Sequence, residues 1–153
     1  MREDPATWRV HRRVVDDLYV DAMLLADDAR GYFEAEGRAE RDGLDAYDRV
    51  AFSCESLRVT TRLMHVIAWL LTRRAVDAGE LAPHAALDPS RRLGEAPPVD
   101  ETVVAKLPTR ARALVAASVA LHRRAAALDR AFIAQDPASS PARSMQQRLA
   151  ASL

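Results

Sequence analysis

Between residues 47 and 78 the chain contains neither proline nor glycine, and apolar side chains return every three or four positions. Tyr47, Val50, Cys54, Leu57, Thr61, Met64, Ala68, Leu71, Ala75 and Ala78 trace one face of a helix sustained for about four heptads. At 1.5 Å per residue that helix is roughly 48 Å long. Phe52, Val59, Leu63, Val66 and Leu70 fall nearly opposite, and Ile67 and Leu71 help join the two stripes. The apolar arc is therefore wider than the roughly 100° that a one-sided surface helix needs. Such a helix is central, or lies between its own bundle and a second subunit. Only one strip stays polar: Glu55, Arg58, Arg62, His65, Trp69 and Arg73.

The same rhythm recurs on both sides. Leu18, Ala22, Leu25, Ala29 and Tyr32, with Phe33 beside them, predict a first helix over residues 16–36, stopped by Gly37. A short polar link favours antiparallel neighbours. Asp45, with Asp48 three residues on, can cap the second helix, over 46–78. Gly79 ends it. Residues 79–99 form a long loop carrying Pro83, Pro89, Gly94, Pro97 and Pro98, which cannot be one helix. A loop of that length in a compact domain is expected to be functional or mobile. Asp100 opens a short turn, and Pro108 suits the start of a third helix over 108–134. Its stripe is Leu107, Ala111, Leu114, Ser118, Leu121, Ala125, Leu128 and Phe132. Residues 1–15 read as a loose N-terminal arm. Residues 136–153, rich in Ser and Ala with two prolines, read as a disordered tail with a nascent helix after Ser144. The fold class is all-α: an antiparallel three-helix bundle over 16–135, forming a homodimer.

Composition narrows the function. The 22 basic and 22 acidic residues cancel. Acids crowd the first third, while Lys106, Arg110, Arg112, Arg123, Arg124 and Arg130 lie in the later helical segment. These faces are expected to neutralise one another within the bundle. The rival reading, a basic face for a nucleic-acid-binding regulator, lacks the net positive charge such binding usually shows. Cys54 is the single cysteine, so no internal disulfide can form, and its place on the apolar stripe predicts a buried thiol. No signal-peptide pattern or bilayer-length apolar run is present, so a cytoplasmic protein with no membrane segment is expected.

Chemistry is sparse. No phosphate-binding glycine loop occurs. His11, His65, His84 and His122 are scattered without ligand spacing, and the paired Glu and Glu-x-x-His sets of a di-iron bundle are missing. The expectation is no enzyme, no catalytic residue, no metal and no cofactor. Attention falls on the polar strip, because tryptophan among arginines is the composition of binding hot spots. Glu55, Arg58, Arg62, Trp69 and Arg73 are the candidate partner surface; the alternative is an internal polar network.

The run Ser53-Cys54-Glu55-Ser56-Leu57-Arg58-Val59-Thr60-Thr61-Arg62-Leu63-Met64, followed by Ala68-Trp69-Leu70-Leu71, resembles the signature of the RcdA family of alphaproteobacteria, regulators of CtrA degradation. Tyr32 with Gly37-Arg38-Ala39-Glu40, Arg74-Ala75-Val76 with Gly79-Glu80, Leu107-Pro108 before Leu114-Val115, and Leu128-Asp129 are similar too. The likeness spans residues 31–132. It implies a homodimeric three-helix bundle that acts as a non-enzymatic adaptor between substrates and the ClpXP protease in cell-cycle control. It also implies partners: a ClpX-type protease, a CpdR-like response regulator, a PopA-like adaptor that binds cyclic di-GMP, and cargo. The loop 82–98 and the tail match no family motif, so partner choice is expected to reside there. In the tail, Arg148, Leu149, Ala150 and Ala151 contain a Leu-Ala-Ala similar to a ClpX degradation tag and are candidate tail contacts. The remaining alternative is a structural homodimer with no regulated partner.

Overall fold

The computed structural model describes residues 4–136 and 141–151. They form helices α1 (Pro5–Gly31), α2 (Arg38–Asp42), α3 (Ala46–Asp77), α4 (Glu101–Val104), α5 (Thr109–Ala134) and α6 (Pro141–Ala151). A π-helical turn, Tyr32–Glu36, joins α1 to α2, and two 3-10 turns lie between α3 and α4. No strand occurs among the described residues.

Local chemistry sets most boundaries. The Asp45 carboxylate accepts from Asp48 N at 2.8 Å and opens α3. Gly79, at φ 75°, closes it: Gly79 N donates to Val76 O at 3.0 Å and Glu80 N to Ala75 O at 2.9 Å, the Schellman pattern. Asp100 opens α4 by accepting from Thr102 N at 3.0 Å. Pro108 stands one residue before α5, at its N-cap.

The N-terminal arm expected over 1–15 is helical from Pro5. Asp4 accepts from Ala6 N at 3.2 Å, and Pro5 sits in the first turn, where its missing N–H costs nothing. Arg12 lies 5.3 Å from the Trp8 ring, one turn on, and Val15 is buried. The expected tail disorder is also not what residues 141–151 adopt: after Pro141 no further proline interrupts a run of good helix formers, and α6 results. Residues 137–140, 152 and 153 lie outside the described residues.

The α1 and α5 stripes point inward as expected. Leu18, Ala22, Ala29 and Tyr32 join Leu107, Ala111, Leu114, Ser118, Leu121 and Ala125 among the buried residues. The α3 faces are exchanged. The stripe from Tyr47 to Ala78 is the outer one: Leu57 is 68% exposed and Met64 64%. Cys54 is exposed as well, so its expected burial is corrected. Phe52, Val59, Leu63, Val66 and Leu70 form the core instead. Both faces are apolar, so periodicity could not choose; packing chose the face flanked by Arg62 and Trp69, whose polar atoms find partners on α5.

Helix directions also depart from a simple antiparallel set. Phe33 meets Phe52, with ring centroids 5.3 Å apart, and Asp16 pairs with Arg74 at 3.6 Å, so α1 and α3 run oppositely. Asp28 pairs with Arg110 and Asp21 with Arg124, so α1 opposes α5. These bridges supply part of the expected neutralisation of early acids by late arginines, at Arg110 and Arg124. Along α3, however, Arg62 meets Ser118 and Trp69 meets Asp129. Those two helices therefore run parallel. A parallel pair needs a connection that travels back the length of the helices, and residues 78–108 supply it.

That connection is pinned, not loose. Arg92 binds Asp129, Gly94 O accepts from His122 Nε2 at 2.8 Å, Glu95 O pairs with His65 Nδ1 at 3.0 Å, and Pro97 O accepts from Arg62. Reading 92 to 97, the contacts on α5 step from 129 back to 122. The segment is a strap running against both helices. A Cβ at Gly94 would stand 2.7 Å from His65 Nδ1, so only glycine lets the backbone come this close. Gly94→Ala is expected to lift the strap and cost about 1–3 kcal/mol, read by urea denaturation, with faster amide exchange confined to residues 93–97.

Candidate functional site

On α3, positions 55, 62, 69 and 73 recur at intervals of seven and four, so one helical edge carries Glu55, Arg62, Trp69 and Arg73 towards α5 and the strap. Glu55 and Arg62 are both 0% exposed, Trp69 3% and Arg73 8%. The Glu55 carboxylate accepts from Arg58 Nη1 at 2.5 Å. Arg62 Nη2 donates to Pro97 O at 3.1 Å and Nη1 to Ser118 Oγ at 3.4 Å. One guanidinium thus ties α3 to the strap and to α5. Ser118 Oγ in turn donates a hydrogen bond to Val115 O at 2.8 Å. Arg62 Nε and Glu55 Oε2 are buried with no hydrogen-bond partner among the described residues.

Burial lowers the Arg62 pKa from its usual value; the Glu55 carboxylate opposes this, and the Arg58 charge adds to it. The Arg58 pKa is raised, first by its hydrogen bond to Glu55 and then by that carboxylate's charge. Two arginines therefore share one buried carboxylate, and both stay charged at any ordinary pH.

Two turns further on, Trp69 Nε1 donates to Asp129 Oδ1 at 3.0 Å. Arg92 approaches the same carboxylate, with Nη2 3.0 Å and Nε 3.1 Å from Oδ2. The Arg73 guanidinium stacks 3.6 Å from the centre of the Phe132 ring, and His11 meets that ring edge-on at 5.2 Å. An indole, an aromatic ring and two guanidinium groups thus fasten α3, α5 and the strap together.

The five residues expected at a partner surface are therefore brought together, but within the protein. Glu55, Arg62, Trp69 and Arg73 are corrected to internal positions; only Arg58 reaches solvent, its side chain 40% exposed. The physical reason is that their partners lie inside: the Pro97 carbonyl of the strap and Ser118 take Arg62, Asp129 takes Trp69, and the Phe132 ring stacks on Arg73. Sequence reasoning missed the acceptors Ser118, Asp129 and Pro97. Ser118 left a signal as the one hydroxyl inside an apolar stripe; the Pro97 carbonyl left none. The tail candidates Arg148, Leu149, Ala150 and Ala151 lie exposed on α6. Among the described residues no three His, Cys, Asp or Glu side chains are grouped to hold a metal, and no helix is long and apolar enough to cross a membrane.

The fold leaves the outer face of α3 bare. Tyr47, Val50, Leu57, Met64 and Leu71 are exposed large hydrophobic side chains along about 36 Å of one helix. A continuous apolar strip of this kind marks an interaction surface.

An all-helical protein built around a central helix, with an apolar core face, one buried polar edge and an exposed apolar outer face, is the class these features define. Residues 6–153 match the family described as a protein of unknown function, DUF1465, and the chain belongs to that family. Its structure is similar to the crystal structure of RcdA from Caulobacter crescentus CB15, with 34% sequence identity, a TM-score of 0.64, and coverage of 78% of this chain and 90% of that one. No curated protein sequence matches the chain.

Removing Arg58 would strand the Glu55 carboxylate. Arg58→Ala is expected to cost about 1–2 kcal/mol, because Arg58 is part-exposed and solvent screens the pair. Adding Glu55→Gln should recover part of the loss in urea melts. No recovery would show that Arg58 acts through packing alone.

Proposed function

We propose that this protein is a non-enzymatic adaptor that links substrates to the ClpXP protease for regulated proteolysis in cell-cycle control. The observation that carries this reading is the similarity to RcdA over most of both chains, joined to an α3 sequence with the RcdA-family signature. On this reading the protein works in the cytoplasm with a ClpX-type protease, a CpdR-like response regulator, a PopA-like cyclic di-GMP-binding adaptor and cargo proteins. It uses no cofactor and performs no chemistry of its own.

The adaptor is a homodimer whose seam is the outer face of α3. Support comes from the exposure of Tyr47, Val50, Leu57, Met64 and Leu71. Burying such a face removes its apolar area from water, at roughly 25 cal/mol per Å². The buried edge of Glu55, Arg62, Trp69 and Arg73 holds α3 rigid behind that seam, and Arg58 is its exposed contribution to a partner surface. The tail residues Arg148, Leu149, Ala150 and Ala151 contact protease or cargo.

Leu57→Asp with Met64→Asp should give a monomer by light scattering while circular dichroism stays unchanged, because both side chains face water within one chain. A parent protein that is monomeric at micromolar concentration would refute the dimer. For the adaptor role, the purified chain should raise the rate at which ClpXP, primed by the response regulator, degrades a captured cargo. An unchanged rate with every candidate cargo rejects the role and leaves a structural dimer.

A further inference from the structure

The strap, α4 and α5 enclose a surface groove of about 750 Å³, within the size range of ligand clefts. It shares no residue with the exposed α3 stripe. One wall is a single face of α5: Arg112, Ala116, Val119, Ala120 and Arg123 follow at intervals of four, three, one and three. The opposite wall is Ala96, Pro97, Val99 and Ala105, with Glu101 at its edge, and Val104 and Val115 help line the floor. Arg62 also lines the groove, fully buried, with Nε unpartnered.

We propose that this groove is a docking site for an acidic amphipathic helix of a partner protein. The proposal deepens the adaptor reading and rests on it for the partner being a protein. Charge complementarity selects the sign. The lining carries Arg62, Arg112 and Arg123 against Glu101 alone. Arg123 makes no ion pair among the described residues, and Arg112 bonds only the Thr109 hydroxyl, at 3.2 Å. By contrast, Arg110 and Arg124 on the same helix are already paired with Asp28 and Asp21.

Shape selects the helix. Ala116 and Ala120 are small and exposed one turn apart, so another backbone can approach α5 closely. Arg112 and Arg123 stand about 16 Å apart along the axis, matching carboxylates three turns apart on a helix laid in the groove. Its leucine-type side chains would meet Val99, Val104 and Val119, the usual arrangement of a helix seated in an apolar groove. The buried Arg62 sits at the floor with its Nε–H unpartnered among the described residues.

The test uses the full chain and a fluorescent synthetic amphipathic helix of about five turns, with leucines along one face and glutamates beside them. Anisotropy at about 0.1 M salt should show saturable binding that weakens roughly tenfold or more in R112E/R123E, since rim charges set the attraction. A peptide with lysine in place of glutamate should not bind. Ala116→Glu, which fills the groove at an exposed position, should block binding with circular dichroism unchanged. Amide shifts should fall on residues 96–99 and 112–123. Binding that is indifferent to these substitutions, shifts on the α3 stripe instead, or capture of a DNA duplex of about 20 base pairs in preference to the peptide would each overturn the proposal. If the peptide binds while cargo degradation does not respond, the groove stands and the adaptor role falls. If cargo degradation persists in R112E/R123E without peptide binding, the groove falls and the role stands.

Discussion

A guanidinium removed from water must find acceptors inside the protein, and Arg62 finds them on two other elements at once. Its nitrogens reach the Pro97 carbonyl on the strap and the Ser118 hydroxyl on α5. No apolar contact could demand such specific neighbours. Breaking any one of these bonds leaves a charged or polar group buried without compensation, which costs more than the bond contributes when made. The parallel pairing of α3 with α5 and the path of the strap both depend on this side chain being satisfied.

The strap turns that local demand into architecture. A chain returning along a parallel helix pair exposes carbonyls to an apolar groove unless donors meet them. His65, His122, Arg62 and Arg92 meet them or anchor the segment beside them. Polar residues on the inner edge of α3 are thus the complement of a backbone without secondary structure. This leaves the outer edge of α3 free to be apolar, and that stripe and the α5 groove lie on separate sets of residues.

A buried polar edge beside the apolar core and an exposed apolar stripe opposite it are an unusual combination on one helix. The inner edge ties α3 to particular acceptors on α5 and the strap. The outer edge holds apolar area that a partner can cover. A helix of this kind suits a protein whose work is holding others in place.

Periodicity did not show that α1 begins at Pro5 or that residues 141–151 form α6. It alone determined that the chain is helical, where α3 and α5 lie, which face of α1 and of α5 is buried, and where Asp45, Gly79 and Asp100 place boundaries. Those features rest on contacts between residues close in sequence, which spacing records directly. The family was legible for a related reason: the α3 motif is contiguous. Tertiary structure alone decided which α3 face turns inward, that Glu55, Arg62, Trp69 and Arg73 are internal, and that α3 and α5 run parallel beneath a pinned strap. Two nearly equivalent apolar stripes cannot be ranked by their own spacing. The choice belongs to acceptors such as Pro97 O and Asp129, far along the chain and brought near only when it folds.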